Sequence, residues 1–247
     1  MTVESAEQLE GLRAAGALVR ETIAAVRAAA RPGVTTGHLD AIAREAVERR
    51  GGASGPILTY GYPGFICLSV DDEVVHGIPG QRVLAEGDLL KIDVALELRG
   101  YHADSAVTVV VGDAARPGDR RMIRAVDAAL ASGVRAARPG ATLRSVGAAV
   151  ERVVTARGFR VLRELTGHGI GRAMHEPPTV HSWAAPDATT RLEPGMVFTI
   201  EPMIVAGSPR IYVDRDDWTI RTVDRGRGAH AEHTVMVADE GAAVVLT

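Results

Sequence analysis

The pattern of apolar and polar positions predicts a pair of helices followed by a group of strands. Residues 4–30 carry leucine, alanine, isoleucine and valine at intervals of three and four, with charges between them, which is typical of an amphipathic helix. Arg31-Pro32-Gly33 ends this helix, and a second helix begins at Thr35-Thr36 and ends at Gly51-Gly52. Short apolar runs bounded by Gly, Asp and Pro then predict strands at 65–70, 89–98 and 101–111.

The same order of elements recurs in the second half of the chain. Helices are predicted at 119–137 and 142–157, followed by strands at 159–165, 196–205, 218–223 and 232–237. The motif Arg-Pro-Gly-x-Thr stands at the helix break of both halves, which gives an internal repeat of about 105 to 110 residues. This period is too long for a solenoid. We therefore expect a single α+β domain over 1–247, with related halves at roughly 1–112 and 113–247.

Composition and charge narrow the class of protein further. The chain has 247 residues, of which 46% are hydrophobic and 24% charged, as in an ordinary globular protein. Its net charge of −3 shows no basic footprint for nucleic acid. The single cysteine, Cys67, excludes an internal disulfide and favours a reducing compartment. The first residues lack a signal peptide and no apolar run is long enough to span a membrane, so we expect a cytoplasmic protein, and a monomer.

Two acidic residues in the first half are predicted to share one face of a hairpin. Asp93 lies within a long apolar strand, where a charge is seldom buried unless it is paired or binds metal. A two-residue turn at Arg99-Gly100 sets a register that pairs Asp93 with Ala106 and Ala95 with Asp104. Asp93 and Asp104 then become diagonal neighbours, and they repel each other unless a cation lies between them. The alternative is a pair of acids that face water.

The second half supplies two further acids and two histidines. Glu201 and Glu232 each lie within or at the start of an apolar strand. His168 and His175 stand seven residues apart in a segment rich in Gly and Pro, for which we expect an irregular but rigid loop. Imidazoles bind metals or donate protons near neutral pH, although both histidines could also be merely solvated. Four carboxylates with an imidazole suit Mn, Fe, Co or Zn, and two divalent ions would balance their charge.

These residues stand in motifs that resemble those of the type I methionine aminopeptidases, in their short bacterial form. The matching stretches follow the family's order along the chain: Val75-His76-Gly77-Ile78-Pro79, Lys91-Ile92-Asp93-Val94, His102-Ala103-Asp104-Ser105, Gly167-His168-Gly169-Ile170-Gly171, His175-Glu176-Pro177-Pro178, Thr199-Ile200-Glu201-Pro202-Met203, Asp217-Trp218-Thr219 and Glu232-His233-Thr234-Val235. The resemblance implies the pita-bread fold, with two pseudo-symmetric α+β halves around a central antiparallel sheet. It also implies hydrolytic removal of the initiator methionine from nascent proteins whose second residue is small.

The resemblance further implies which role each residue of the metal site would have. Two divalent ions (Co, Mn, Fe, Zn or Ni) would be bound by Asp93, Asp104, His168, Glu201 and Glu232. Asp93 would be bidentate, Asp104 and Glu232 would bridge the ions, and Glu201 would also accept and shuttle a proton. The ions would lower the pKa of a bridging water and so supply hydroxide.

The two catalytic histidines implied by the resemblance would act on the substrate. His175 would hydrogen-bond the scissile carbonyl oxygen as it becomes an oxyanion, which leaves His168 as the one imidazole at the metals. His76 would position the peptide and assist proton transfer near the scissile nitrogen. The remaining histidines are expected at the surface or behind the site: His38, His102, His181, His230 and His233.

An apolar pocket would receive the methionine side chain of the substrate. The candidate pocket residues are Tyr62, Cys67, Met174 and Trp218, with Cys67 as a wall rather than a nucleophile. Short bacterial members usually carry Phe where Met174 stands and another Tyr near Thr59, so we expect a looser pocket with an altered second-position preference or lower activity. They usually carry Asn where Lys91 stands. Lys91 shares a face with Asp93, so its charge either weakens metal binding or extends away on its long stem.

The implied partner is the N-terminal peptide of a nascent protein, with a transient ribosome contact and with neither nucleic acid nor membrane as a partner. The nearest alternative is an Xaa-Pro peptidase of the same fold, such as a prolidase or aminopeptidase P. Those enzymes carry a large N-terminal domain, whereas this chain starts almost directly at its first helix pair. A creatinase-like enzyme would lack the full ligand set. A non-catalytic pita-bread binding module would usually have lost its ligands, which are all present here.

Overall fold

Two pairs of helices pack against antiparallel strands in the computed structural model, which describes residues 1–247. The helices are α1 (Ala6–Ala29), α2 (Thr36–Glu48), α3 (Gly55–Tyr60), α4 (Asp119–Ala136) and α5 (Leu143–Ala156). The strands are β1 (Ala53–Ser54), β2 (Cys67–Val70), β3 (Glu73–Val75), β4 (Leu89–Leu98), β5 (Tyr101–Val110), β6 (Arg160–Val161), β7 (Thr166–Gly169), β8 (Glu176–His181), β9 (Val197–Ile200), β10 (Met203–Val205), β11 (Ile211–Val213), β12 (Ile220–Thr222), β13 (Gly228–His230), β14 (His233–Met236) and β15 (Val244–Val245). The predicted α+β class is confirmed. None of the helices combines the length and the apolar character that crossing a membrane requires.

The helix pairs begin where their capping residues stand in the sequence. The hydroxyls of Ser5, Thr35 and Thr142 accept hydrogen bonds from backbone N–H groups in the first turns of α1, α2 and α5. Such caps satisfy donors that have no partner within the helix. The four helices predicted from periodicity are confirmed, with ends that differ by no more than four residues.

The long hairpin of β4 and β5 has the register that its turn predicts. Asp93 pairs with Ala106 and Ala95 pairs with Asp104, so both acids lie on one face of the hairpin. The turn residue Arg99 adopts a left-handed backbone conformation with φ 54°. On the other side of β4 lies β2, which brings Cys67 directly opposite Asp93.

The strands of the second half differ from the prediction in two places. The expected strand 196–205 is divided into β9 and β10 at Glu201-Pro202, because Pro202 has no N–H with which to continue a ladder. The expected strand 159–165 is reduced to the two residues of β6. Both predictions followed the apolar run, which continues through positions where the backbone changes direction.

The segment with His168 and His175 consists of two antiparallel strands joined by an irregular stretch at 170–175, so the irregular loop that its composition indicates is confined to that stretch. His168 lies in β7 and pairs with Thr179 in β8, while His175 immediately precedes β8. A Cβ atom on Gly169 would lie 2.1 Å from the carbonyl oxygen of Pro177. Glycine at this position therefore allows the two strands to approach closely, which composition alone does not distinguish from loop flexibility.

A network of ion pairs connects the turn before β3 to the second half of the chain. Arg221 in β12 contacts Asp72 at 3.0 Å and Glu73 at 2.8 Å. Arg227 contacts Asp71 at 2.6 Å and Asp119 at the start of α4 at 2.5 Å. Because these side chains are mostly buried and share partners, the network fixes β3 against β12 more firmly than isolated surface pairs would.

Replacement of Gly147 by Ala is expected to destabilise the fold. Gly147 lies in α5, where a Cβ would stand 2.1 Å from the carbonyl oxygen of Trp183 and 2.6 Å from that of His181. The helix must shift, and we expect a loss of about 1–3 kcal/mol in the free energy of unfolding, measured by urea denaturation. The control is Gly80→Ala, whose Cβ would have no atom within 4 Å. Equal stabilities of the two variants would contradict the packing argument.

Candidate active site

One cavity of about 340 Å³ contains every side chain that the sequence proposes for a site. The residues are Tyr62, Cys67, His76, Asp93, Asp104, His168, Met174, His175, Glu201, Trp218 and Glu232. The cavity is also lined by Tyr60 and His230, neither of which was proposed for the site. Its walls combine apolar and titratable side chains, as small-molecule sites usually do.

Two sheets meet at this cavity and are joined by hydroxyl groups. The hydroxyl of Thr234 donates to the carbonyl oxygen of Asp104 at 2.8 Å and accepts from the N–H of Asp104 at 2.9 Å. The hydroxyl of Ser105 donates to the carbonyl oxygen of Glu232 at 2.6 Å. The N–H of Glu232 donates to Ala106 at 2.9 Å. These bonds place the backbone of Asp104 beside that of Glu232, so their carboxyl groups enter the cavity together.

The four carboxyl groups of the cavity cannot all be ionised without compensating positive charge. Burial raises the pKa of Asp104 to about 7 and that of Glu201 to about 8. Burial, with the charges of Asp104 and Glu201, raises the pKa values of Asp93 and Glu232 well above their usual range. Each value reflects the cost of an unpaired charge where water has little access. A divalent cation would remove that cost.

Two groups of three donors converge closely enough to bind cations. Asp104, His168 and Glu232 form one group, and Glu201, His230 and Glu232 form the other; in each the donor atoms lie within 4.8 Å of one another. Oδ1 of Asp104 and Oε1 of Glu232 are buried without a hydrogen-bond partner. Buried polar atoms without partners are uncommon, and their grouping here fits a divalent metal ion.

His168 is oriented with one ring nitrogen free toward the acids. Its Nδ1 lies 3.0 Å from the carbonyl oxygen of Gly169 and donates to it, so the neutral ring keeps a lone pair on Nε2. Nε2 lies 3.5 Å from Oε1 of Glu201. Burial lowers the pKa of His168 to about 3, with a further contribution from His175. A neutral imidazole held this way is the usual form of a metal-binding histidine.

His175 lies beside His168 but faces the open side of the cavity. The two ring centroids are 4.0 Å apart and the rings are steeply tilted. The hydroxyl of Tyr60 lies 2.5 Å from Nδ1 of His175. When the phenol donates to Nδ1, the proton of the neutral ring is on Nε2, which is then free to donate to a ligand. Partial burial lowers the pKa of His175 and favours this neutral form.

His76 is fixed in a left-handed backbone conformation at the opposite wall. Its φ is 57°, which costs energy for a residue other than glycine and is found mainly where surrounding contacts enforce it. The hydroxyl of Tyr62 donates to the carbonyl oxygen of Gly77 at 2.8 Å and lies 3.3 Å from that of His76. The imidazole lines the cavity and is exposed; desolvation by the surrounding protein and the nearby His175 lower its pKa to about 4.

The apolar part of the cavity is formed by the candidate pocket residues. The rings of Tyr62 and Trp218 meet edge to face, with centroids 5.1 Å apart. Cys67 is buried, and burial together with the nearby Asp93 raises the pKa of its thiol, which leaves it a wall rather than a nucleophile. Met174 is buried against the start of α3, where its sulfur lies near Gly55.

Lys91 extends away from the carboxyl groups, the second of the two outcomes that the sequence allowed. Its side chain is 1% exposed, and Nζ donates to the carbonyl oxygens of Asp71 at 2.8 Å and Leu89 at 3.3 Å. Burial lowers the pKa of Lys91 to about 7, although Glu73 and Asp71 oppose the effect. Its charge is therefore directed to the turn before β3 instead of to Asp93.

Three residues beside the site were not proposed from the sequence. Thr199 donates through its hydroxyl to Oε1 of Glu201 at 2.6 Å. His230, expected at the surface or behind the site, is 2% exposed and lines the cavity, so a surface location is wrong. Alternation along strands could have indicated both, because Thr199 and His230 each stand two residues before an acid of the site. For Tyr60, the only sequence signal of a place at the site was its proximity to Tyr62.

The fold and the metal-binding chemistry of this site are those of a known peptidase family. Residues 10–239 match the model of metallopeptidase family M24. The chain therefore belongs to the M24 metallopeptidases. It is 38% identical to the methionine aminopeptidase of Escherichia coli K12 over 99% of this chain and 93% of that protein.

Solved structures agree with this assignment. The methionine aminopeptidase of Rickettsia prowazekii superposes with a TM-score of 0.95 at 33% identity, and each chain covers 100% of the other. A prolidase of Pyrococcus horikoshii superposes with a TM-score of 0.78 at 20% identity, over 100% of this chain and 63% of the prolidase. The prolidase shows only the shared pita-bread fold, whereas the methionine aminopeptidases are similar to this chain in sequence as well.

Without divalent metal, the protein is expected to lose stability as the pH rises from 6.5 to 8. Asp104 and Glu201 have folded-state pKa values of about 7 and 8, above those of the unfolded chain, so folding favours their protonated forms. That contribution is complete below the unfolded-state values of about 4 and is lost progressively up to the folded-state values, so the range from 6.5 to 8 covers its last part. We expect the Tm of the metal-free protein to fall over this range, and saturating Mn²⁺ or Co²⁺ to remove the fall.

The matched variant for this measurement is Asp104→Asn, which keeps the shape of the side chain and removes one of the titrating carboxyl groups. Its metal-free Tm should fall less between pH 6.5 and 8 than that of the parent protein. A metal-free Tm that is constant or rises over this range in the parent protein would exclude the charge repulsion described above.

Proposed function

We propose that this protein hydrolyses the first peptide bond of proteins and peptides that begin with methionine, when the second residue is small. The observation that carries the proposal is the convergence, in one cavity, of four carboxyl groups, three of them buried, and a metal-oriented imidazole beside an apolar pocket. The likeness to methionine aminopeptidases over nearly the whole chain supports it. The substrates would be nascent chains, met in transient contact with the ribosome by a monomeric protein whose 247 residues form one catalytic domain in the cytoplasm.

The residues that would bind two divalent ions are Asp93, Asp104, His168, Glu201 and Glu232. The partnerless oxygens of Asp104 and Glu232, and the free Nε2 of His168, support these roles. Asp93 lies against Asp104 from the neighbouring strand, which supports its place in the same ligand set. When bound, divalent ions lower the pKa of water and polarise a carbonyl group.

Glu201 would be the group that accepts and returns the proton of the attacking water. The hydroxyl of Thr199 donates to its Oε1 and fixes the carboxyl group, so the second oxygen is left for the proton. A general base works best when its pKa is near the operating pH, and burial already moves the pKa of Glu201 in that direction. Its position next to Pro202, where β9 ends, presents the side chain at the cavity rather than within the sheet.

His175 and His76 would act on the two sides of the scissile bond. With Tyr60 donating to Nδ1, Nε2–H of His175 would donate to the scissile carbonyl oxygen as negative charge develops there. His76, held by Tyr62 at the opposite wall, would position the peptide and assist transfer of the proton from Glu201 to the departing nitrogen. The methionine side chain would lie among Tyr62, Cys67, Met174 and Trp218.

Release of methionine from Met-Gly-Met-Met is the direct test of this function. We expect hydrolysis with added Mn²⁺ or Co²⁺, loss of activity with a chelator, and recovery when metal is restored. Asp104→Asn should abolish turnover, because Asp104 belongs to the proposed ligand set, while far-ultraviolet circular dichroism stays unchanged. Failure with every divalent ion would refute the assignment. Hydrolysis of Ala-Pro but not of Met-Gly-Met-Met would replace it with an Xaa-Pro peptidase.

Tyr60→Phe is expected to lower kcat/KM for Met-Gly-Met-Met roughly 3- to 10-fold, the equivalent of one neutral hydrogen bond. The variant removes the phenol that fixes the tautomer of His175, so ¹⁵N spectra should show a mixture of ring tautomers where the parent protein shows one. The control is Tyr212→Phe, a tyrosine that does not line the cavity. An unchanged His175 tautomer in Tyr60→Phe would show that the phenol does not set it.

A further inference from the structure

His230 is the one imidazole of the cavity that the proposed function leaves without a task. It ends β13, where it pairs with Met203 of β10, and Glu232 follows two residues later. Met203 itself lies two residues after Glu201. The register therefore places His230 between the chain segments that supply Glu201 and Glu232, two of the acids proposed to bind metal.

The backbone of His230 is fixed while its side chain is not hydrogen-bonded. The hydroxyl of Thr108 donates to the carbonyl oxygen of His230 at 2.6 Å and accepts from its N–H at 2.9 Å. The side chain is 2% exposed, yet neither Nδ1 nor Nε2 has a hydrogen-bond partner. An unpaired buried polar group costs about 1–3 kcal/mol, so an imidazole in this position calls for a ligand.

The nearest polar groups are carboxylate oxygens that also lack a full set of partners. Nε2 of His230 lies 3.7 Å from Oε2 of Glu232, and Oε1 of Glu232 is buried without a partner. Donor atoms of Glu201, His230 and Glu232 lie within 4.8 Å of one another. Donors about 2 Å from one ion lie roughly 3–4 Å apart, so small side-chain rotations would bring these three onto one cation.

We propose that His230 is a metal ligand, which adds a second imidazole to the site and binds the same ion as Glu201 and Glu232. This inference rests on the proposed metal-dependent function and adds a residue to it. A nitrogen donor at this position would favour Co²⁺, Zn²⁺ or Ni²⁺ over Mn²⁺, because imidazole suits those metals better than a site made of oxygen alone. Glu232 belongs to both donor groups and would connect the ion near His168 to the ion near His230.

Histidine ring ¹⁵N spectra of the intact protein test this assignment directly. A ring nitrogen that binds Zn²⁺ changes its chemical shift, so titration of metal-free protein with Zn²⁺ should perturb two cavity histidines, His168 and His230. His230→Gln assigns the second resonance by its disappearance. Perturbation of His168 without His230 at full Zn²⁺ loading would overturn the proposal. The titration itself uses the unmodified protein, and the variant serves only to assign the resonance.

The metal affinities of matched variants provide a second test of the role of His230. His230→Gln should weaken binding of one of two Co²⁺ ions about tenfold or more and change the Co²⁺ absorption spectrum, with a smaller loss for Mn²⁺. The control is His181→Gln, because His181 also has a partnerless Nδ1 but lies outside the cavity. Equal affinities and spectra for His230→Gln and the parent protein would refute the role of His230.

The two proposals fail in different ways in these experiments. If the parent protein binds two ions and releases methionine while His230 is unperturbed, only the inference about His230 is wrong. If the parent protein neither binds divalent ions nor hydrolyses Met-Gly-Met-Met, the proposed function is wrong and the role of His230 is excluded with it.

Discussion

Repulsion among four carboxyl groups, three buried and one half-buried, is the constraint on which the rest of the structure depends. Asp93, Asp104, Glu201 and Glu232 enter one cavity from different strands, and burial favours their protonated forms. A fold that brings them together must offset this cost with stabilising contacts elsewhere in the structure. The hydroxyl bonds between the two sheets and the ion pairs between β3 and β12 do so, since they fix the strands from outside the cavity. The site is thus assembled by contacts that do not themselves touch a substrate.

Much of the site could be predicted from the sequence because side chains along a strand alternate between its two faces, with a period of two residues. Once the turn at Arg99-Gly100 fixes the register, alternation alone puts Asp93 and Asp104 on one face, as the structure has them. The helix pairs could also be predicted from the sequence, because capping residues stand where the apolar periodicity begins, as in α1 and α5. The acids and histidines of the second half were also visible as residues, but only the resemblance to methionine aminopeptidases assigned their roles, because no local rule gave them a partner.

What the sequence did not reveal are contacts between residues far apart in the chain. Tyr60 and His175 are separated by 115 positions, and only the folded structure places the phenol against the imidazole. His230 was expected at the surface or behind the site because a single polar side chain near a strand end is usually solvated. Lys91 shows a related limit of prediction. Strand alternation gives the face from which its side chain leaves the backbone, but not where its charged end lies after four methylene groups.

The position of Cys67 has a consequence for the redox chemistry of the protein. Its sulfur lies in the wall of the cavity opposite Asp93, and burial near that carboxyl group keeps it in the thiol form. Oxidants and alkylating reagents attack the thiolate, so they have little to react with here. The only cysteine of the chain therefore lies in the wall of the site as a buried thiol, which disfavours its attack by peroxide and by thiol-directed reagents.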